Sequence, residues 1–183
     1  MNGSGKSLCF IGSAVCVLSM TIFCGCGTDY RWRTDVPKAM RTVCVPTLRN
    51  DSDVMELGAI VTRQILREFQ REGTYRIRPQ DEAALEVQGV VQTANAGITS
   101  YNRRSGGRYA AYDYSAQVEI SVIDKRSHKV LVNNKVYTAH APLTAGQDIA
   151  TAMRDASGRL ADDLARQVVD DMLKLKWEVP DNE

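Results

Sequence analysis

Reactive side chains are scarce in this sequence. Among 183 residues there are two histidines, two tryptophans and three phenylalanines. Neither His128 nor His140 has a second ligand at metal-binding spacing, so no metal site is expected. Asp124, Ser127 and His128 read as turn chemistry, not a triad. Nothing else pairs a nucleophile with a base. The sequence therefore predicts a non-enzyme with no catalytic residue and no cofactor. Net charge is also lacking: 23 Lys and Arg face 22 Asp and Glu, a formal +1. That balance excludes a broad nucleic-acid-binding face. No internal repeat or low-complexity segment occurs. With 44% hydrophobic and 25% charged residues, the composition is that of a globular chain, which argues against disordered, collagenous and polytopic membrane classes. The length fits one domain.

The five cysteines do not make a disulfide framework, because four of them lie in the first 26 residues. Lys6 is the only charge before Asp29, and an apolar run from Leu8 to Phe23 follows it. This is the n-region and h-region of a signal peptide. Cys24-Gly25-Cys26-Gly27 closes it, and a cysteine after a small residue resembles a bacterial lipobox. Cys26 after Gly25 fits that pattern better than Cys24 after Phe23. An uncleaved anchor or an ordinary signal peptide is the alternative. The expected boundaries are a signal peptide over 1–25, a lipidated tether over 26–38, one domain over 39–178 and a tail over 179–183. The mature chain then keeps only Cys44 as a free thiol, read as a buried small hydrophobe, and removal of Lys6 leaves it formally neutral. Gly3-Ser4-Gly5-Lys6-Ser7 looks like the end of a phosphate-binding loop, but it lacks the leading glycine and a preceding strand.

Beyond the tether, Met40 to Pro46 alternates as a first strand. Asp53 and Glu56 have capping-box spacing. Val54, Leu57, Ile60, Val61, Ile65, Leu66 and Phe69 form one helical stripe that stops at Gly73. Tyr75 to Arg78 is a short extended segment. Strands are expected from Ala84 to about Thr99, Tyr109 to Asp124 and Val130 to Thr138, joined by turns at 102–107 and 125–128 as an antiparallel meander. A long helix runs from about Gln147 to Lys176, with Thr144 and Gln147 as its capping box. Its stripe is Ile149, Met153, Ala156, Leu160, Leu164, Val168, Met172 and Leu175. Asp155/Arg159, Asp162/Arg166 and Asp170/Lys174 are i,i+4 pairs on its wet face. Gly158 costs this helix about 1 kcal/mol against alanine, through close packing on the sheet or as a tolerated defect. The order is β-α-β-β-β-α. The expected fold class is α+β: a two-layer sandwich in which two helices pack on one face of a four-stranded, mostly antiparallel sheet. The other face, carrying Tyr, Ser, Gln and Glu, is left for water or a partner.

These features in this order resemble the lipopolysaccharide-assembly lipoprotein family, LptE. The resembling stretches are Cys26-Gly27-Thr28-Asp29-Tyr30-Arg31-Trp32 and Thr42-Val43-Cys44-Val45-Pro46, then Asn50 and Arg67-Glu68-Phe69. Gly73-Thr74-Tyr75-Arg76-Ile77 and Leu85-Glu86-Val87-Gln88-Gly89-Val90-Val91 follow. A Tyr-rich strand then ends at Asp124, and Leu160-Ala161-Asp162-Asp163-Leu164-Ala165 lies in the last helix. The resemblance implies a lipoprotein of the outer membrane, on its periplasmic side, that plugs the β-barrel lipopolysaccharide translocon. It would help assemble that barrel and deliver lipopolysaccharide to the outer leaflet. The partners implied are that barrel, lipopolysaccharide and the membrane itself through the N-terminal lipid. The family's best-known basic position corresponds to Arg103 and Arg104, with Arg108 beyond, as the lipopolysaccharide contact. A second basic position before the last helix has only His140 near it. The competing reading is an envelope lipoprotein that binds a small or glycan ligand.

The lipobox reading has a direct check. Cys26→Ala should abolish acyl labelling and release the protein from the membrane fraction. Labelling and fractionation that persist in the variant contradict it.

Overall fold

The computed structural model describes residues 36–101, 110–143, 148–175 and 177. After a 3-10 turn at Lys38–Met40 come β1 (Thr42–Cys44), β2 (Arg49–Asn50), α1 (Leu57–Glu72), β3 (Arg76–Ile77), β4 (Leu85–Tyr101), β5 (Ala110–Asp124), β6 (Lys129–Pro142) and α2 (Ile149–Leu173). All strands belong to one sheet in the order β3-β1-β4-β5-β6, with β2 also paired to β4. The expected α+β sandwich is present, with six strands among the described residues instead of four. The segment after α1 pairs as β3, and the first strand is broken into β1 and β2 along the same side of β4. β4, β5 and β6 form the antiparallel meander, whereas β1, β2 and β3 pair in parallel, as a connection through α1 requires.

The long strands alternate, and their inward residues meet the helices in one core. Cross-strand rows set the thickness of this layer. Val91, Val118 and Tyr137 form one row, Ala94, Ala116 and Ala139 the next, and Ala96, Tyr114 and Ala141 a third. Methyl groups there let α2 approach closely, and the fully buried Tyr114 ring fills the space between two of them. α2 answers with small residues of its own: Ala156, Ala161 and Ala165 are fully buried beside Leu160 and Leu164. The buried stripe of α2 is wider than the sequence spacing suggests, and Ile149, expected inside, is 41% exposed. On α1, Leu57, Val61, Ile65 and Phe69 are fully buried, while Leu66 lies half out. Among the described residues Tyr114 and Tyr137 lie on the helix-covered side, whereas the sequence pattern places tyrosine on the open face.

Irregularities keep the pattern in register. Gln92 is an extra residue in β4 relative to β5, and the inward positions of β4 change there from odd to even numbers. On β6, Asn133 and Asn134 together oppose Ser121. Asn134 takes φ 45°. Its N–H donates to Ser121 Oγ at 3.0 Å, and its amide oxygen accepts from that hydroxyl at 2.8 Å. Gly89 lies opposite Ile120, where a Cβ would sit 2.5 Å from Ile120 Cδ1 and 2.6 Å from the Glu119 carbonyl.

The helix ends depart from the sequence expectation. α1 starts at Leu57 after Glu56 at φ 65°, with no side-chain cap, so Asp53 and Glu56 do not form the capping box. Asn50 holds the preceding segment out of the helix. Its amide donates to the Val54 carbonyl at 2.9 Å, and its oxygen accepts from Ser52 Oγ at 2.7 Å. α1 then seats on Leu48. Thr62 Oγ1 accepts from the Leu48 N–H at 2.9 Å and donates to the Gly58 carbonyl at 2.7 Å. A Cβ on Gly58 would lie 2.5 Å from the Leu48 oxygen. Gly73 ends α1 at φ 82°, its N–H bonded to the Phe69 carbonyl, as the sequence predicts. α2 is capped by Asp148, which accepts from the Thr151 N–H at 3.2 Å. Thr144 and Gln147 lie outside the described residues. Of the three i,i+4 pairs, Asp162–Arg166 closes, while Arg159 donates to the Pro142 carbonyl. No atom lies within 4 Å of a Cβ built on Gly158, so close packing does not explain this glycine.

Two clamps fix the C-terminal end of α2. Tyr75 Oη donates to the Met172 carbonyl at 2.9 Å, and its ring stands edge-on to Phe69 at 5.5 Å. Burial, and then the Glu72 charge, push the Tyr75 hydroxyl well above its ordinary range, so it stays a donor. On the other side Asp171 accepts from Tyr137 Oη at 2.9 Å and pairs with Lys135. Burial works against the Asp171 carboxylate, but the bonds from Lys135 and Tyr137 and the Lys135 and Lys174 charges outweigh it and hold it below the usual carboxylate value.

The two helical glycines should respond oppositely in denaturant unfolding. Gly158→Ala should stabilise by about 1 kcal/mol, and Gly58→Ala should destabilise by about 1–3 kcal/mol as the Leu48 seat is forced open. A depressed folded-state carboxylate stabilises above its unfolded value and loses that stabilisation as pH falls through the folded value. The stability gap between the native protein and Asp171→Asn should therefore be full near neutrality and close below about pH 4. A gap independent of pH removes Asp171 as the source.

Candidate interaction surface

With both helices on one side, the sheet presents its other face to solvent. Gln88, Thr93, Asn95, Gln117, Thr138 and His140 are exposed there. Polar side chains on this face bond to one another along and across strands. Gln92 Nε2 donates to Glu119, Gln88 Nε2 donates to Glu86 Oε1 at 2.8 Å, and His140 Nδ1 lies 2.8 Å from Asp113 Oδ2. Val130 and Val136 on β6 remain about half exposed. A shallow depression of about 210 Å³ on this face is lined by Arg49, Gln88, Gly89, Val90, Glu119, Ser121 and Asn134. Arg49 is engaged with Asp51 through two bonds of 2.8 and 3.0 Å. The surface suits polar contact over an area more than capture of one small molecule.

Cys26, Arg103, Arg104 and Arg108 all lie outside the described residues. The strands that flank 102–109 end at Tyr101 and begin at Ala110, which are paired. The other basic turn, 125–128, is at the opposite end of β5. At about 3.3 Å per residue the 15 residues of β5 separate the two ends by about 50 Å. That turn is organised by Asp124, whose carboxylate accepts from the Arg126 N–H at 2.9 Å and Ser127 Oγ at 2.6 Å. Burial opposes its charge, but these bonds and the Arg126 charge hold Asp124 below its ordinary value. His128 takes φ 55° to complete the turn. These three residues do turn chemistry, as the sequence predicts. His140 pairs with Asp113 across β5 and β6, so its charge, when present, has a local counter-ion.

Cys44 is buried and free. Burial, followed by the Glu86 charge, raises its thiol above the ordinary value, which makes it a poor nucleophile. Among the described residues no group of His, Cys, Asp and Glu is placed to hold a metal ion, and no helix is long and apolar enough to cross a membrane. Sequence reasoning missed Arg49 and Asn134, which line the depression on the open face. Asn-Asn at 133–134 is the turn-type signal that marks the bulge.

Comparison with known proteins adds identity to this geometry. No curated protein sequence matches the chain. Among solved structures, a hypothetical protein from Chlamydia trachomatis superimposes with a TM-score of 0.54 at 12% identity, covering 73% of this chain and 96% of the other. A protein from Xanthomonas campestris gives a TM-score of 0.50 at 9% identity, covering 76% and 90%. At such identities the likeness is one of fold. The family model described as LptE, lipopolysaccharide-assembly, matches residues 40–172, from the turn before β1 to the last turn of α2. The chain belongs to the LptE lipopolysaccharide-assembly family.

Proposed function

We propose that this protein is a lipoprotein of the outer membrane, anchored on the periplasmic side through Cys26 and a tether to residue 38. In this reading it assembles with and plugs the β-barrel lipopolysaccharide translocon and assists insertion of lipopolysaccharide into the outer leaflet. No step in this role is catalytic. The observation that carries the reading is the family match across residues 40–172, nearly the whole folded domain. The architecture supports it. A sheet with strands of 14 to 17 residues and one uncovered polar face is suited to contact with a protein wall over its length. In this role Arg103, Arg104 and Arg108 supply the lipopolysaccharide contact, because guanidinium groups grip phosphate in a bidentate way. The depression of about 210 Å³ is smaller than the 300–1,000 Å³ typical of ligand sites, so it does not favour a small-ligand role.

Isolation of the native protein in mild detergent tests the reading. A stoichiometric β-barrel partner is expected, and a lone monomer contradicts it. Charge reversal of Arg103 and Arg104 together should weaken binding of lipopolysaccharide or of an acidic barrel wall, with the circular dichroism spectrum unchanged. The same reversal at Lys125 and Arg126 should weaken it less. The opposite ranking overturns the assignment of the basic contact.

A further inference from the structure

The two edges of the sheet are treated differently. Among the described residues β6 is the outer strand on one side. The Leu143 N–H donates to the Tyr112 carbonyl at 3.0 Å, which sets the alternation along β6. Val136, Thr138, His140 and Pro142 turn their backbone groups away from β5. α2 covers part of that outward row. Gln167 Nε2 donates to the Thr138 carbonyl at 3.1 Å, and the Arg159 guanidinium donates to the Pro142 carbonyl at 3.3 Å. The spacings match, because eight helical residues span about 12 Å and four strand residues about 13 Å. Pro142 has no N–H to offer. Nearer the β5–β6 turn the register shifts on either side of Val122, and bulges make an edge a poor template for pairing.

The other edge is stepped. β1 pairs with the start of β4, and β2 pairs with Val90 and Val91. The Asp51 N–H donates to the Val91 carbonyl at 2.9 Å. Beyond that bond, among the described residues, no strand flanks this side of β4 from Thr93 to Tyr101. The register with β5 turns Thr93, Asn95 and Gly97 toward β5 and leaves the N–H and C=O groups of Ala94, Ala96 and Ile98 facing outward. Among the described residues no side chain bonds those groups as Gln167 and Arg159 do on β6. Thr93 to Tyr101 also holds no charged residue and no proline, the usual blocks on an edge. On the helix side Ala96 is half-buried and Ile98 is 48% exposed, and Met55, 86% exposed, lies in the loop where β2 gives way to α1. On the open face Thr93 and Asn95 are exposed.

We infer that the Ala94–Ile98 edge of β4 accepts an extended strand from a partner chain, which continues the line of β2 past Asp51. Outward N–H and C=O groups in a row select an extended backbone. The two borders select its side chains: an uncharged segment with apolar residues toward Ile98 and polar residues toward Thr93 and Asn95, in alternation. The N-terminal tether does not serve. Val36 is tied to Arg41, and the next residue, Thr42, accepts from the Ala84 N–H, so the chain enters beside Ala84. Ala94 is ten residues farther along β4, about 33 Å away. Ten residues also separate Cys26 from Val36, a reach of at most about 35 Å. A tether that starts at Cys26 is used up in reaching the edge. Only this last point rests on the lipid-anchor reading, and none rests on the barrel role.

Amide exchange followed residue by residue on purified full-length protein tests this. In the chain alone, the N–H groups of Ala94, Ala96 and Ile98 should exchange at least about tenfold faster than those of Asn95 and Gly97. The probe is a short synthetic peptide of alternating valine and threonine with a lysine at each end. At saturation it should slow Ala94, Ala96 and Ile98 about tenfold and leave Val136, Thr138 and His140 unchanged. The same peptide N-methylated throughout should slow nothing. Ala96→Pro removes one outward donor and no bond to β5, and it should abolish the response to the peptide with the circular dichroism spectrum unchanged. Should that variant fail to fold, Ile98→Lys should weaken peptide binding about fivefold. Slow exchange at these three amides in the chain alone places a segment of this chain on the edge. Slowing that grows with protein concentration places a second copy there. Either result overturns the inference, as does a peptide that slows nothing or that slows the β6 amides first.

Discussion

The fold depends on α1 and α2 covering one face of a single long sheet. Neither partner is stable without the other. The β4–β5–β6 meander carries alanines and two tyrosines, Tyr114 and Tyr137, where its helix-covered face meets α2, and such a surface gains little unless a helix comes close. α2 comes close because Ala156, Ala161 and Ala165 present only methyl groups. Area alone does not hold this interface together; shape does, as interiors are packed at crystal density. The polar clamps at Tyr75–Met172 and Tyr137–Asp171–Lys135 then set the position of α2 along the sheet, which an alanine surface by itself leaves free to slide.

Length follows from the same constraint. Covered on one side and self-bonded on the other, the strands extend for 14 to 17 residues without a second sheet. Bulges at Gln92 and Asn134 keep inward residues inward over that distance. The result is a domain with two well-separated ends. One end holds the chain entry and the Lys125–Arg126 turn, and the other holds the β4–β5 connection.

The periodicities of 2 and 3.6 made the three long strands and both helices legible, because each has a one-sided environment to match. Gly73 was legible as a stop for the same local reason. Of the short parallel strands, β1 and β3 fall inside the segments read as extended, Met40 to Pro46 and Tyr75 to Arg78, whereas β2 was not legible, since two residues carry no period and the parallel pairing is decided by the path of α1. The start of α1 misled because Asp53 and Glu56 carry the capping signal, yet Asn50 and the close seat of Gly58 on Leu48 decide where the helix begins, and both are tertiary effects. Gly158 shows the reverse case: a glycine read from sequence as close packing on the sheet or as a tolerated cost, whose surroundings supply no packing reason. The candidate lipopolysaccharide contacts were legible only through family resemblance, because an Arg-Arg-Ser-Gly-Gly stretch is equally what a solvated turn requires.

Hydrogen exchange on Leu160→Ala tests the mutual dependence of sheet and helix most directly. Leu160 is fully buried in α2, and its truncation should cost about 2–5 kcal/mol. Amide protection should fall together in α2, in α1 and in the central residues of β5, as one cooperative unit. Protection lost in α2 alone, with β4 and β5 still closed, would show that the sheet stands without its helix.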